Sequence, residues 1–348
     1  MALHQKLHHL NLKEVKWMVQ KGKVHVSEAC SRWFVGKTKF GCAHCSFGKT
    51  TKKPLGKKKK KRVSKRDREK ERGLKNLRRR RVREVKMGMD LNGPNARGVG
   101  SHTGAKYALL LRKKKTKFSW LRFLKKKSDV FEALQVTLPL ILSTLRKNRR
   151  LVILSDLGTE FCSEKVENLL GSLGIEHRYT SRNSSLKNGV VERHFRTLEQ
   201  DVATAMAQSG LTKGFWPDLM ETAHQVRLHL PSRSLPQHRS PFEEEKGEDS
   251  APFREALQPV GCLAVGHKVS RTSMGARGEE LVYLGPKEGG DGTRLLDLAT
   301  RRVVDDRSAV FHSDVFPCFC QSRCERRCIR RSWRKWTRSA FWRRAQAA

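Results

Sequence analysis

Apolar residues recur at different spacings along this chain, and the spacings divide it into segments. Near the start, Leu12, Val15, Met18 and Val19 follow helical spacing, which predicts a short amphipathic helix. The central part alternates short apolar runs with longer amphipathic stretches, as is typical of an α/β domain. Nearer the C-terminus, short strand-like runs separated by glycine-rich turns predict a small β barrel or curled sheet.

The central part carries the clearest individual elements. The pattern predicts strands at 107–111, 118–124, 151–154 and 175–179, and helices at 129–145 and 164–173. We expect Pro139 to kink or shorten the first helix, and Gly174 to end the second. The run N-S-S-L-K-N-G at 183–189 predicts a loop. The helix expected after this loop has an apolar stripe of Val191, Phe195, Leu198 and Val202.

Shifts in composition predict where the domains begin and end. Three folded domains are predicted: a small N-terminal domain at 1–54, the α/β domain at 87–232 and a small β domain at 260–317. A basic linker at 55–86 and a second linker at 233–259 are predicted between them. The sixth predicted segment is a disordered basic tail at 318–348, which is rich in Cys, Arg and Trp.

The charge of the chain points to a polyanionic partner. Its 74 basic and 34 acidic residues give a formal net charge of +40. Such an excess destabilises a compact fold by self-repulsion, so nucleic acid is the expected partner, and disordered basic tails are the alternative. The lysine and arginine runs at 57–62 and 78–81 predict either a nucleic-acid-binding, nuclear-import segment or a plain spacer. We therefore predict a nuclear location, which is compatible with an earlier cytoplasmic particle stage.

No membrane association or secretion is expected from the sequence. The longest apolar run, at 134–145, contains Pro139 and is too short to span a bilayer. The residues after Met1 are polar and rich in histidine, so they do not resemble a secretory signal. Nine cysteines, two of them in a C-x-x-C, favour thiolate–metal chemistry in a reducing compartment. The tail cysteines Cys318, Cys320, Cys324 and Cys328 fit no standard zinc spacing, so metal binding and disorder both remain open there.

Four residues of the N-terminal segment have the spacing of a zinc site. His4 and His9 lie about one helical turn apart, and Cys42 and Cys45 form a tight knuckle. Two nitrogens facing two sulfurs would make a closed tetrahedral Zn²⁺ site, which would hold so small a segment together. The alternative is a set of surface histidines and free thiols. The residues that could replace a member of the set are His8, His44 and Cys30.

Three carboxylates suggest a second metal site of a different kind. Asp90 lies in M-D-L-N-G-P, Asp156 follows the apolar run V-I-L-S, and Glu192 lies near the start of a predicted helix in N-G-V-V-E-R. Carboxylates meeting at one point could hold two divalent cations, roughly 4 Å apart, for phosphodiester chemistry. The alternative is that Asp90 caps a turn, Asp156 merely follows a strand and Glu192 is a solvated helix residue.

The same motifs resemble the integrase of copia-type LTR retrotransposons, in the expected order over most of 1–317. H-x4-H with C-x2-C and G-K-T-T-K-K-P resembles the zinc-binding pre-integrase region of that family. D-L-N-G-P, S-D-L-G-T-E-F and N-G-V-V-E-R match the segments around its three catalytic acids. G-L-T-K-G-F-W-P-D-L and G-C-L-A-V resemble the regions after the catalytic core. R-L-L-D-L-A-T-R-R-V-V-D-D-R-S-A-V-F resembles its SH3-like C-terminal segment.

The resemblance implies a ribonuclease-H-like mixed-sheet core with two Mg²⁺ or Mn²⁺ ions, flanked by a zinc-binding helical domain and a small SH3-like β domain. It implies 3′-end processing of element DNA and strand transfer into target DNA by a homo-oligomer. Asp90 and Asp156 would hold the metals and Glu192 would complete the second site. The residues expected to approach DNA are Lys187, Arg193 and Arg196 at phosphates, and Asn188 and Gly189 in a loop close to the backbone.

Three functional hypotheses remain open from sequence. The first is a metal-dependent polynucleotidyl transferase, in which the acid triad is active. The second is a catalytically silent relative of integrase that binds nucleic acid through its charge. The third is a zinc-stabilised basic scaffold whose partner is another protein.

Overall fold

The computed structural model describes residues 2–24, 26, 41–49, 83–93, 100–145, 149–180, 185–267, 278–287, 289 and 292–318. Contacts divide the chain into two compact units. One unit joins Met1–Lys49, Gly93–Lys106 and His194–Ala348, and the other joins Thr50–Asn92 and Tyr107–Arg193. We call them the zinc-motif unit and the acid-triad unit, after the motifs that they contain. The structure contradicts the predicted end of the linker at 55–86 and the predicted linker at 233–259, and the other predicted bounds remain predictions.

A five-stranded mixed sheet forms the acid-triad unit. The strands are β1 (Arg83–Asn92), β2 (Tyr107–Lys113), β3 (Ser119–Leu124), β4 (Arg149–Ser155) and β5 (Glu176–Tyr179). Their order is β3-β2-β1-β4-β5. The first three strands are antiparallel neighbours, whereas β4 runs parallel to β1 and to β5. This is the ribonuclease-H-like arrangement, so the predicted fold class is confirmed.

Strand β1 begins inside the segment expected to be a basic linker. Arg83 already pairs with Arg149 of β4, four residues before the expected start of the domain at 87. After the charged residues at its start, β1 carries Met87 and Met89, which are fully buried. The strand therefore reaches the core despite its basic start. Charge composition alone therefore placed the end of the linker too late.

Two helices pack against this sheet, α4 (Val130–Ser143) and α5 (Glu164–Ser172). Pro139 lies inside α4, and the helix continues past it. The proline is exposed, so the backbone carbonyl that it cannot pair with stays open to water. Gly174 follows α5 with φ +65°, the left-handed conformation typical of a helix end. The core beneath these helices includes Leu109, Leu111, Leu134, Leu138 and Ile153.

The long helix α6 (Ser185–Ser209) corrects one expectation. Its predicted stripe of Val191, Phe195, Leu198 and Val202 is buried, as expected. The helix begins at Ser185, however, so the loop predicted at 183–189 is wrong over its last five residues. A helix anchored by such a stripe extends by one hydrogen bond per residue. It can therefore pass through Asn188 and Gly189, which are poor helix formers.

The helices of the zinc-motif unit besides α6 are α1 (Ala2–Lys6), α2 (Leu12–Gln20), α3 (Ala43–Lys49), α7 (Trp216–His229), α8 (Pro241–Lys246) and α9 (Ala251–Ala256). The apolar faces of α1 and α2 pack with residues from α7 and from the segment after α9. This core comprises Leu7, Leu10, Val15, Met18, Val19, Val226, Leu230 and Leu257. By contrast, α3 contributes no buried residue of its own.

The segment at 233–259, expected to be a linker, is instead folded. Ser240 caps α8 through a reciprocal capping box with Glu243. Ser240 and Ser250 are fully buried and hydrogen-bonded to each other. The ring of His229 stacks on Phe253. The Pro, Ser and Glu content of this segment thus reflects helix caps rather than a flexible connection.

A second five-stranded sheet lies in the C-terminal part of the same unit. Its strands are β6 (Leu263–His267), β7 (Gly278–Pro286), β8 (Thr293–Asp297), β9 (Val303–Asp306) and β10 (Val310–His312). All neighbours are antiparallel, in the order β10-β6-β7-β8-β9. The last strand pairs with the first, which is the SH3-like order and confirms the predicted small β domain.

Among the helices that the structure describes, none combines the length and the apolar character that a membrane span needs.

Candidate metal centres

The three predicted acids lie at neighbouring elements of the acid-triad unit. Asp90 is near the end of β1, opposite Leu110 of β2. Asp156 directly follows β4, which is parallel to β1, so both aspartates lie towards the carboxyl ends of adjacent strands. Glu192 is on the exposed side of α6, next to the buried Val191. The structure thus brings residues separated by about a hundred positions into one region.

The pKa of Asp90 reflects both its burial and the negative charges around it. It is raised from 3.8 to about 7, chiefly by burial and then by the charges of Asp156, Glu192 and Glu160. A hydrogen bond of 3.0 Å from the backbone N–H of Leu91 opposes this rise. Asp90 is thus a half-buried carboxylate with three other carboxylates nearby. Hard divalent cations prefer such oxygen ligands, so the donor set fits Mg²⁺ or Mn²⁺.

Glu160 is a fourth carboxylate that sequence reasoning did not single out. Its side chain is 11% exposed, and its Oε1 lies 3.6 Å from Nζ of Lys127. A Cβ added at Gly158 would lie 2.9 Å from Cδ of Glu160 and 3.2 Å from Oδ1 of Asp156. The glycine therefore leaves room for two carboxylates in one turn. The signal was present, because Glu160 belongs to the same S-D-L-G-T-E-F run as Asp156.

Hydrogen bonds fix the backbone that carries Asp156. Ser155 Oγ donates to the carbonyl of Asp156 at 2.9 Å and therefore accepts from His177 Nε2 at 2.8 Å. The backbone N–H of Thr180 donates to the carbonyl of Ser155 at 2.9 Å. The N–H of Gly158 donates to Oδ1 of Asp156 at 3.2 Å. The strand end is thus held in place, while the carboxylate of Asp156 remains exposed.

The structure agrees only in part with the positions predicted for the residues expected to approach DNA. Arg193 and Arg196 are exposed on α6, and Gly189 is half-buried. Asn188 and Gly189 lie within α6, so the loop role predicted for them is wrong. The side chains of Lys187 and Asn188 are outside the described residues.

The His/Cys motif assembles as predicted. One ligand atom from each of His4, His9, Cys42 and Cys45 lies within 4.8 Å of all the others, and across the described ranges this is the one such set of three or more ligands. His4 Nε2 is 3.1 Å from His9 Nδ1 and 3.3 Å from Sγ of Cys45, and His9 Nδ1 is 3.4 Å from Sγ of Cys42. The carboxylates of the acid triad do not form a set as close as this.

The ring nitrogens of His4 and His9 that point away from the cluster already form hydrogen bonds. His4 Nδ1 donates to the carbonyl of Leu10 at 3.0 Å, and His9 Nε2 donates to the side-chain oxygen of Gln208. Each neutral ring then has its lone pair on the nitrogen that faces the cluster. Two lone pairs at 3.1 Å repel unless a cation lies between them. Two nitrogens and two sulfurs around one point fit a tetrahedral Zn²⁺ ion.

Burial sets the protonation state of these ligands. It lowers the pKa of His4 to about 4 and that of His9 to about 3, so both rings are neutral at pH 7. Burial, together with the charge of Cys42, raises the pKa of the Cys45 thiol to about 12. Because zinc binds the thiolate, ion binding must release a proton from Cys45.

A buried ionic network lies beside the cluster. Asp201 of α6 is 1% exposed and accepts from Lys49 Nζ at 2.9 Å and from Arg227 at 2.7 Å. Lys49 Nζ also donates to the carbonyl of His9 at 2.7 Å. The last residue of α3 is thereby tied both to a ligand residue and to α6. Sequence reasoning found none of these partners.

The rival ligands lie outside the four-residue set. His44 Nδ1 is 4.0 Å from Sγ of Cys42. His8 is buried, and within the described residues neither of its ring nitrogens has a hydrogen-bond partner. Cys30 and the tail from residue 319 onward fall outside the described residues, so the predictions for Cys320, Cys324 and Cys328 stand as predictions. Cys318 has a free thiol.

Comparison with known proteins identifies relatives among transposon polyproteins. The chain is 30% identical over 227 residues to the retrovirus-related Pol polyprotein from transposon TNT 1-94 of Nicotiana tabacum, covering 64% of this chain and 16% of that protein. It is 26% identical over 219 residues to the Pol polyprotein from transposon RE1 of Arabidopsis thaliana, covering 62% and 14%. The chain thus spans about a sixth of these curated relatives. The resemblance drawn from the motifs is confirmed.

Solved structures and family models tell less about this chain than the polyprotein relatives do. Among solved structures, the HTLV-2 integrase catalytic core domain, solved with magnesium in a trimeric form, aligns with a TM-score of 0.35 and 14% identity, over 47% of this chain and 97% of that one. No family model matches the chain.

Proposed function

We propose that this chain, a relative of the Pol polyproteins of plant transposons, is an integrase that processes the 3′ ends of element DNA and transfers them into target DNA. The observation that carries this proposal is the meeting of Asp90, Asp156 and Glu192 in one electronegative region of a ribonuclease-H-like sheet. The raised pKa of Asp90 is due first to burial, and the charges of Asp156 and Glu192 add to it. Such a region is suited to cations and phosphate oxygens.

In this proposal each acid has a distinct position. Asp90 and Asp156 would hold Mg²⁺ or Mn²⁺ between adjacent strand ends, and Glu192 would complete the second site from α6. Two such ions, when bound, activate an attacking oxygen and stabilise a leaving oxygen in an in-line displacement. The hydrogen bonds behind Ser155 keep the Asp156 backbone from moving as ions enter. A ligand held this way loses little freedom on binding.

The zinc site would be structural in the same proposal. All four protein ligands are supplied, which leaves no open position for a substrate. Its expected role is to join α3 to the turn between α1 and α2.

DNA is the proposed partner, as both element ends and target. The support is the net charge of +40 and the exposure of Arg193 and Arg196 beside Glu192 on α6. Assembly as a homo-oligomer around paired ends and a nuclear location are also proposed, from the resemblance and the basic runs respectively.

A second candidate is a catalytically silent DNA-binding relative. It is favoured by one observation: in the part of the chain that the structure describes, the carboxylates do not form a ligand set as tight as the His/Cys cluster. In this case the protein would still bind DNA through its charge but would not catalyse end processing or strand transfer.

The test is a strand-joining assay with zinc-loaded protein, Mn²⁺, a labelled duplex end and plasmid. We expect joined product from the wild type. Asp156→Asn should reduce joining at least about a thousandfold, because metal-centred transition-state stabilisation is worth several kcal/mol. The matched control is Glu164→Gln, an exposed carboxylate at the start of α5, which should leave the rate unchanged.

The outcomes separate the two candidates. Joining that survives Asp156→Asn would exclude the acid triad as the catalytic centre. A folded wild type that binds duplex DNA in a salt-dependent manner but joins nothing would favour the silent relative.

A further inference from the structure

We propose that Gln208, far along α6 from the acid triad, is the positioning residue of the zinc site. Its amide oxygen fixes the proton of His9 on Nε2, so that Nδ1 offers its lone pair to the metal. The His/Cys site would then be completed by the α6 helix rather than by the N-terminal segment alone. The inference rests on the zinc site of the proposed function, but it does not require DNA chemistry.

The orientation of the Gln208 amide is set by a second contact. Its side-chain nitrogen donates to the carbonyl of Val260 at 3.4 Å. A carbonyl only accepts, so this contact turns the amide nitrogen towards Val260 and the amide oxygen towards His9. Gln208 is 3% exposed, which leaves little access for water to replace either contact. The amide therefore has one favourable orientation.

The carbonyl of Val260 is itself held against the end of α6. The next residue, Gly261, has φ +88°, and a Cβ added there would overlap Ser209, the neighbour of Gln208. The N–H of Gly261 donates to the carbonyl of Tyr283 in β7 at 2.8 Å. A glycine thus lets the turn approach the helix closely, and β7 prevents it from drifting away. The chain of contacts runs from β7 through Val260 and Gln208 to His9.

Loss of the amide oxygen would affect the metal in two ways. His9 could place its proton on Nδ1, where it faces the cluster and must be displaced by the ion. With the proton on Nε2, a buried donor would lack its acceptor. Outer hydrogen bonds of this kind typically change metal affinity by 10- to 100-fold. We expect a loss in that range.

The experiment measures Zn²⁺ affinity of the full chain by competition with a chromogenic chelator. Gln208→Met keeps the length of the side chain without the amide and should weaken Zn²⁺ binding at least tenfold. The matched control is Gln200→Met, two turns earlier on the same helix, which should stay within about twofold of wild type. Gln208→Glu restores an oxygen acceptor for His9 and should recover most of the affinity, as carboxylate–histidine–zinc triads do.

A spectroscopic readout separates positioning from a general packing defect. Two-bond ¹⁵N–¹H NMR spectra of the histidine rings show which nitrogen carries the proton. In the metal-free wild type and in Gln208→Glu, we expect His9 to be protonated on Nε2, whereas Gln208→Met should show both tautomers. Should Gln208→Met fail to fold, the comparison of Gln208→Glu with wild type decides: a shifted tautomer or a tenfold loss in Gln208→Glu would overturn the proposal.

The remaining outcomes are equally decisive. Equal Zn²⁺ affinities of Gln208→Met and wild type would overturn the role of Gln208 while leaving the zinc site intact. Equal losses in Gln208→Met and Gln200→Met would assign the effect to the helix as a whole and overturn it too. A wild type that binds no Zn²⁺ would overturn both the zinc site and this inference.

Discussion

Asp201 in the zinc-motif unit and Asp90 in the acid-triad unit are both largely removed from water, yet their surroundings are opposite in charge. Burial acts to raise the pKa of Asp201, but the charges of Arg227 and Lys49 outweigh it and hold the pKa below its ordinary value. Asp90 has carboxylates as neighbours, and its pKa is raised to about 7. The first carboxylate has its counter-charges within the protein, whereas the second is surrounded by charges of its own sign.

The two candidate metal sites differ in the same way. In the His/Cys cluster, the outer protons of both rings are committed to Leu10 and Gln208, so the inner lone pairs are fixed before an ion arrives. In the acid region, Asp156 and Glu192 remain exposed and repel Asp90. Closed sites with fixed ligands suit a permanent structural ion, and open ones suit ions that must meet a substrate. The comparison therefore predicts different responses to metal removal and to mutation.

Removal of zinc should have the largest effect. Helix α3 buries no residue of its own, and it is held by the metal ligands, by Lys49 and by the close approach of Gly48 to Thr204 of α6. Structural zinc typically contributes on the order of 10 kcal/mol to such segments. After treatment with a zinc-selective chelator in the presence of Mg²⁺, we expect amide hydrogen exchange to lose protection in α3 and the His4–His9 turn.

The same measurement provides its own control. Helix α2 should retain part of its protection, because Val15 and Met18 pack in the apolar core of the zinc-motif unit. Withdrawal of Mg²⁺ should leave the amides of β1 and β4 protected, because apolar residues such as Met87 and Ile153 form the core around these strands. Unchanged protection of α3 in the metal-free protein would contradict the distinction between the sites.

Asp201→Asn should have the next largest effect. The substitution leaves Lys49 and Arg227 close together without their shared counter-charge. Breaking a buried ion pair by removing one partner typically costs about 3–5 kcal/mol. Chemical denaturation monitored in the zinc-motif unit should show a loss of this size. By contrast, Glu255→Gln, at an exposed position of α9 in the same unit, should change stability by less than about 0.5 kcal/mol. Equal effects would indicate that the network contributes little.

The sequence predicted most elements of both sheets, because apolar runs such as L-V-I-L-S mark buried strands. It also predicted the members of the His/Cys cluster, since His4, His9, Cys42 and Cys45 have recognisable spacing. What it could not predict were partners set by tertiary packing. Gln208 is 199 positions from His9, and Asp201 is 152 positions from Lys49. Nothing in a single glutamine or aspartate on a helix indicates such a partner.

Two of the incorrect segments have different causes. At 233–259 the signal was present, because S-P-F-E at 240–243 is a capping box followed by a short helix. Its proline and serine content was taken for a linker. At 185–189 Asn188 and Gly189 disfavour a helix, and the helix there depends on the apolar stripe that follows. Only the second error required knowledge of the packing.

Asp90→Asn should have the smallest effect, and one opposite in sign to that of Asp201→Asn. The raised pKa of Asp90 means that the protonated form fits the metal-free fold better. Its stabilising contribution is complete below about pH 4, the value for the unfolded chain, and is lost as the pH rises through about 7. At pH 8 without divalent ions, Asp90→Asn should therefore stabilise the acid-triad unit, on the order of 1–2 kcal/mol after allowance for solvent screening.

Hydrogen exchange of β1 and β4 at pH 5 and pH 8 measures this change in stability. Protection should fall with pH in the wild type and stay level in the variant. A destabilised variant at pH 8 would mean that Asp90 has a cationic partner within the fold, and the contrast with Asp201 would then fail.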